Sequence, residues 1–150
     1  MNDMQESPSD EAEQALHRVV WDSDEVLVTA DTISKLHKST LTLNRAKLFA
    51  EKRSALGVID DMSVRIEDVL NVNATLGPIS GTIKIATRFN TPGTPYSIGP
   101  FHRKDVLELK RIIQGYVIAL QRSVDLSALP TDELIAQLYE IGEDDPLIQG

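Results

Sequence analysis

The densest chemistry in this chain is positive. Lys35, His37, Lys38, Arg45, Lys47, Lys52 and Arg53 fall within nineteen residues, opposed there only by Glu51. Ammonium and guanidinium groups at this density can hold a phosphate, an anionic lipid headgroup or another polyanion through charge-assisted hydrogen bonds. Arg45 and Lys47 are two apart, a spacing that lets both point the same way from a strand. The same pattern also suits a solvated strand face on which lysines guard a sheet edge.

No comparable grouping supports catalysis or a metal. The chain has no cysteine, which removes thiolate nucleophiles, thiolate metal sites and disulfides together and fits a reducing compartment. His17, His37 and His102 never stand four apart, so no helix face carries an imidazole pair. Asp60-Asp61 and Asp144-Asp145 lack the alternating oxygen ligands of a calcium loop. There is no Gly-x-Ser-x-Gly elbow, and Gly93, Gly99 and Gly115 have neither the spacing nor the context of a phosphate loop. The expectation is a protein without enzymatic activity, cofactor or metal.

The net charge of −8 hides a segregation. Residues 1–34 carry nine acids and one base, Arg18; residues 35–122 carry 14 bases and seven acids; residues 123–150 carry seven acids and no base. A cationic body therefore sits between two acidic ends, which keep the chain soluble or fold back to screen the basic face. The acidic whole and the scarcity of aromatics (Phe49, Phe89, Tyr96, Phe101) argue against nucleic acid as a partner. The polar, acidic start is unlike a secretory signal, and no apolar run approaches the ~20 residues of a membrane span, so a cytoplasmic location is expected.

The elements that must position these residues are legible from periodicity. Leu41 and Leu43 alternate with Thr40, Thr42 and Asn44, Val64 and Ile66 with Ser63 and Arg65, Leu70, Val72 and Ala74 with Asn71 and Asn73, and Ile83 and Ile85 with Thr82 and Lys84. A period of two predicts strands with one buried face. An extended lead-in covers Glu25 to Leu36, and Lys47 to Lys52 forms a further strand or the continuation of a kinked one. Asn90 to Pro95 predicts a hairpin tip, and Tyr96 to Ile98 a short last strand stopped by Gly99-Pro100. Arg103 to Gln121 reads as an amphipathic helix with Val106, Leu109, Ile113, Tyr116, Val117 and Leu120 in one stripe, where Gly115 permits close approach to the sheet. Two shorter helices flank this body. One spans Asp10 to about Trp21; the other starts with Thr131 as N-cap and ends at Gly142.

This order resembles a known family. Leu41 to Arg45 with basic residues ahead of Leu48-Phe49, then Ile66, Val69 and Val72 at three-residue spacing, then Phe101 with Asp105-Val106 and Leu109 at the start of the helix, look like bacterial pleckstrin-homology-like domains over about residues 25–121. The family's threonine before Asn44 is Leu43 here, and its arginine is displaced or replaced by Lys47. The resemblance implies an α+β fold, mainly β: a strongly bent antiparallel sheet or barrel of about seven strands capped by the 103–121 helix, with short helices at both ends. Residues 1–24 and 123–150 are then attachments to a 25–122 domain. Some members of the family assemble into homo-oligomeric rings. In the similar eukaryotic domains the loop between the first two strands can hold inositol phosphates, but the full Lys-x(n)-Lys/Arg-x-Arg pattern is not present here.

The expected function is an interaction module that contacts protein partners, itself included. Trp21, Leu134, Leu138 and Tyr139, on the two flanking helices, are the candidate interface residues, although both helices could equally pack on their own domain. The alternative is binding of an anionic membrane surface or another polyanion through the 35–53 cluster, screened by the acidic ends.

Overall fold

The computed structural model describes residues 25–91 and 93–143. Trp21 and the helix expected around it lie outside the described residues. Four strands, β1 (Val26–Asp31), β2 (Ser39–Asn44), β3 (Lys47–Arg53) and β4 (Ile59–Arg65), form one antiparallel sheet in sequence order. A single 3-10 turn, Ile66–Asp68, leads to a second antiparallel sheet of β5 (Val69–Leu76), β6 (Ser80–Thr87) and β7 (Tyr96–His102). Two helices follow, α1 (Arg103–Gln121) and α2 (Thr131–Glu143). The fold is α+β, as expected, but the seven strands make two separate sheets and no closed barrel.

The alternating residues do form the core. Leu41, Leu43, Leu48, Ile83 and Ile85 are fully buried, and Val106, Leu109, Ile113 and Val117 on α1 lie against them. α1 packs across β5 and β6 and also meets β1 and β7, so one helical face covers parts of both sheets. Gln114 on α1 adds a polar tie: its Oε1 accepts a 2.9 Å hydrogen bond from the Val72 backbone N–H. That donor faces away from β6, and leaving it buried without a partner would cost about 1–3 kcal/mol.

Two strand readings are corrected by the backbone. In β5 a register shift between Val69 and Asn71 turns Leu70 outward, so Val69 and Val72 are buried and Leu70 is not. A bulge of this kind inserts one residue and breaks a strict period of two. β7 does not stop at Gly99-Pro100 but runs on to His102, placing Phe101 in the core. Gly99 lies so near β6 that a Cβ would sit 3.0 Å from the Gly81 carbonyl oxygen. The glycine is there for close approach, and does not end the strand.

The helix pair supplies the other correction. Gly115 approaches α2, not the sheet: a Cβ there would fall 2.0 Å from the Leu138 carbonyl oxygen. Gly142 mirrors it, with a Cβ that would fall 2.0 Å from the Arg111 carbonyl oxygen, so it lies within α2 and does not end it. Thr131 is the first residue of that helix, not its cap. The two helices therefore run antiparallel with their backbones in contact, which only residues without a side chain allow.

Gly115→Ala tests this contact. In an exposed helix the change would stabilise by about 1 kcal/mol. Here it must push two backbones apart, and overpacking of this kind costs about 1–3 kcal/mol. Denaturant unfolding is expected to show a net loss of stability, with the same sign for Gly142→Ala.

Candidate functional site

The structure divides the basic cluster. Lys35, His37 and Lys38 lie on the β1–β2 loop, and Lys52 and Arg53 end β3 beside it, where the Arg53 N–H donates to the Lys38 carbonyl at 3.1 Å. Arg45 and Lys47 lie at the opposite end of β2 and β3, Arg45 in the reversal between them and Lys47 as the first residue of β3. They do not act as a pair. Lys47 is exposed, while the Arg45 Nη2 donates to the Leu129 carbonyl at 2.7 Å and to the Thr131 Oγ1 at 3.2 Å. Arg45 thus fastens the β2–β3 turn to the linker between the helices.

At the loop end, register brings in acids that lie outside the cluster in sequence. Asp61 stands opposite Glu51, Asp60 opposite Lys52, and the Asp31 carboxylate lies 3.8 Å from the Lys38 ammonium. Glu51 holds the Arg53 Nε at 2.7 Å and raises the pKa of that guanidinium further. The Lys52 ammonium sits 4.3 Å above the Tyr96 ring. Four cations, Lys35, Lys38, Lys52 and Arg53, therefore share this end with four carboxylates, Asp31, Glu51, Asp60 and Asp61. A cleft of about 470 Å³ opens here between the two sheets, lined by His37, Lys52, Arg53, Asp60, Thr82 and Ser97 among others. Its mixed lining does not single out an anion.

The same end presents apolar side chains beside these charges. Leu36 on the β1–β2 loop is 74% exposed, and Leu56, Val58 and Ile59 around the β3–β4 turn are 92%, 63% and 54% exposed. The loops that carry them are internally bonded. Thr32 Oγ1 accepts from the Ser39 N–H at 2.9 Å, His37 N–H donates to Ser34 Oγ at 3.2 Å, and Ser54 N–H donates to the Val58 carbonyl at 2.9 Å. Gly57 has φ +81°, a conformation that suits glycine. The sequence signal was present: apolar residues on both sides of a turn glycine in a polar stretch.

The expected interface on α2 is mostly spent inside the chain. Leu134 and Leu138 are buried in the core, so neither is free to meet a partner. Tyr139 remains 42% exposed, with the Arg111 guanidinium 3.6 Å from its ring centre. Among the described residues no three His, Cys, Asp or Glu converge as metal ligands, and no helix is long and apolar enough to cross a membrane.

A second cleft, of about 690 Å³, lies where Arg45 meets the interhelical linker. Ala46, Tyr116, Leu126, Ala128, Leu129 and Pro130 supply its apolar lining, and Glu25 stands at its rim. The Tyr116 hydroxyl donates to the Arg45 carbonyl at 2.5 Å. Burial pushes the Tyr116 pKa up, against a smaller opposing pull from Arg45. Comparison with protein-family models, with curated proteins and with solved structures gave no match for this chain.

The Tyr116 shift has a sign that can be checked. Its folded pKa lies above the unfolded one, so its contribution to stability is complete below about pH 10 and is lost as pH rises through the folded value. Tyr96 shifts the same way, from burial first and then from Asp60 and Asp61. Tyr116→Phe is expected to lose about 1 kcal/mol at neutral pH with its hydrogen bond and to flatten the alkaline decline. Urea unfolding across that pH range reads both effects.

Proposed function

We propose that this chain is a non-catalytic interaction module of the pleckstrin-homology-like type, working through protein contacts and associating with itself. Support for the type comes from the four-plus-three strand order and the helix laid across both sheets. Fold likeness alone assigns no activity. The reading is carried by one observation: Leu36, Leu56, Val58 and Ile59 stand exposed together on hydrogen-bonded loops.

Exposed apolar side chains on neighbouring loops, joined by the Arg53 N–H donated to the Lys38 carbonyl, mark a contact surface. Its surroundings favour protein over polyanion. Four cations matched by four carboxylates give no net attraction to a phosphate-rich surface, whereas the polyanion reading needs a positive excess. Mixed charge around an apolar centre suits a second copy related by a two-fold axis, where each positive group can meet a negative one.

Light scattering on the eluting full-length chain is the test. Wild type is expected to exceed the monomer mass, and Leu56→Asp or Val58→Asp to return it to monomer. Burial of one aliphatic side chain stabilises by about 1.5–3 kcal/mol, so either acid should weaken association about tenfold or more. A monomer at all concentrations, or association indifferent to both acids, would sink the self-contact. Sedimentation with anionic vesicles at low salt runs beside it, and strong binding there would favour the membrane reading instead.

A further inference from the structure

We propose that the outer edge of β4 pairs with the same edge of a second copy, antiparallel and centred on Ser63, which joins the two four-stranded sheets into one. This pairing rests on the self-association put forward above and gives it a strand and a register. The other three sheet edges are guarded. β1 has a bulge between Val26 and Val28, β5 has one at Leu70 and gives its Val72 N–H to Gln114, and β7 contains Pro100, which has no N–H to donate. β4 has none of these devices. Ile59 to Arg65 match β3 residue for residue without a bulge, include no proline or lysine, and have no further strand beyond them among the described residues. Such an edge is a template for another strand.

Backbone and charge select the register. Ser54 N–H donates to the Val58 carbonyl at 2.9 Å and Ile66 N–H to the Ala46 carbonyl at 3.0 Å, one at each end of the β3–β4 ladder. Alternation between them turns the backbone groups of Asp60, Met62 and Val64 to β3, and those of Ile59, Asp61, Ser63 and Arg65 to the outer edge. Asp61, Ser63 and Arg65 are exposed, and they share a face with Glu51, Phe49 and Lys47, which stand opposite them on β3. Asp61 and Glu51 make one end of that face acidic, and Arg65 and Lys47 make the other basic. Arg65 holds Glu67 through Nη1 at 3.0 Å and Asp68 through Nε at 3.2 Å, which leaves Nη2 to reach Asp61 of another copy. A two-fold axis at Ser63 sets Asp61 against Arg65 on both sides of the join. An axis at Asp61 would oppose like charges, and one at Met62 would set Asp61 against Ser63 with no ion pair. Phe49, 38% exposed on its own sheet, then flanks the axis from each copy. The β3–β4 turn, with Leu56 and Val58, reaches past Arg65 of the other copy.

The chain has no cysteine, so a single introduced one reads this axis in the intact protein. A hydrogen-bonded antiparallel pair holds its Cα atoms about 5.5 Å apart, within the ~4.4–6.8 Å that a disulfide spans. With diamide as the oxidant that takes up two electrons and two protons, Ser63→Cys is expected to form a disulfide-linked dimer several-fold faster than Ile59→Cys. Far-UV circular dichroism of both should match the wild type. Asp61→Arg in the Ser63→Cys chain sets arginine against arginine and should slow the bridging several-fold. Light scattering on the same chains before oxidation separates the two ways to fail. A mass above the monomer, with Ser63→Cys no faster than Ile59→Cys or indifferent to Asp61→Arg, would overturn the β4 pairing and leave self-association standing. A dimer closed on the loop patch would give that result by bridging Ile59→Cys first. A monomer at all concentrations would remove both.

Discussion

The two sheets share no ladder of backbone hydrogen bonds; apart from the Ile33 N–H donated to the Pro100 carbonyl at 2.8 Å, what joins them is the apolar face of α1. Val106, Leu109, Ile113 and Val117 sit at or near zero exposure, beneath residues drawn from both sheets. Gln114 fastens the same face to the edge of β5 through the Val72 N–H. Each apolar side chain there contributes about 1.5–3 kcal/mol, and that burial takes the place of the strand pairing a closed barrel would have. The open seam between the sheets, with its cleft, follows from this choice.

A second layer depends on the first. Because α1 is held flat on the sheets, its outer face is available to α2, and Gly115 with Gly142 lets the helices meet backbone to backbone. Leu134 and Leu138 then complete the core. The linker between the helices is drawn back to the β2–β3 turn, where Arg45 and Tyr116 fasten it. A residue that looked like part of an anion site is thus a structural clasp.

The far end of the first sheet differs from both of these layers, since Leu36, Leu56, Val58 and Ile59 are exposed there. Its loops are stiffened by their own hydrogen bonds, so leucine, valine and isoleucine side chains stand in water without collapsing onto the domain. Across β3 and β4 Lys52 stands opposite Asp60 and Glu51 opposite Asp61, so the charges around them balance as a group and not pair by pair.

Periodicity placed β2, the later part of β4, the β5–β6 pair and the long helix, because buried faces repeat every two residues in a strand and every three to four in a helix, whereas β3 stayed open between a separate strand and a kinked continuation. Composition likewise located the basic stretch. Leu70 was misassigned because a bulge leaves no mark in an alternating pattern, and Gly99-Pro100 because a turn signal and a close crossing use the same residues. The acid opposite Lys52 could not be read either, since Asp60 reaches it only through the register of a strand pair. Gly115 and Gly142 announced small size but not which neighbour required it. Local sequence fixes the conformation of each segment, whereas charge balance, clefts and helix seating arise from residues far apart in the chain, and folding alone brings those together.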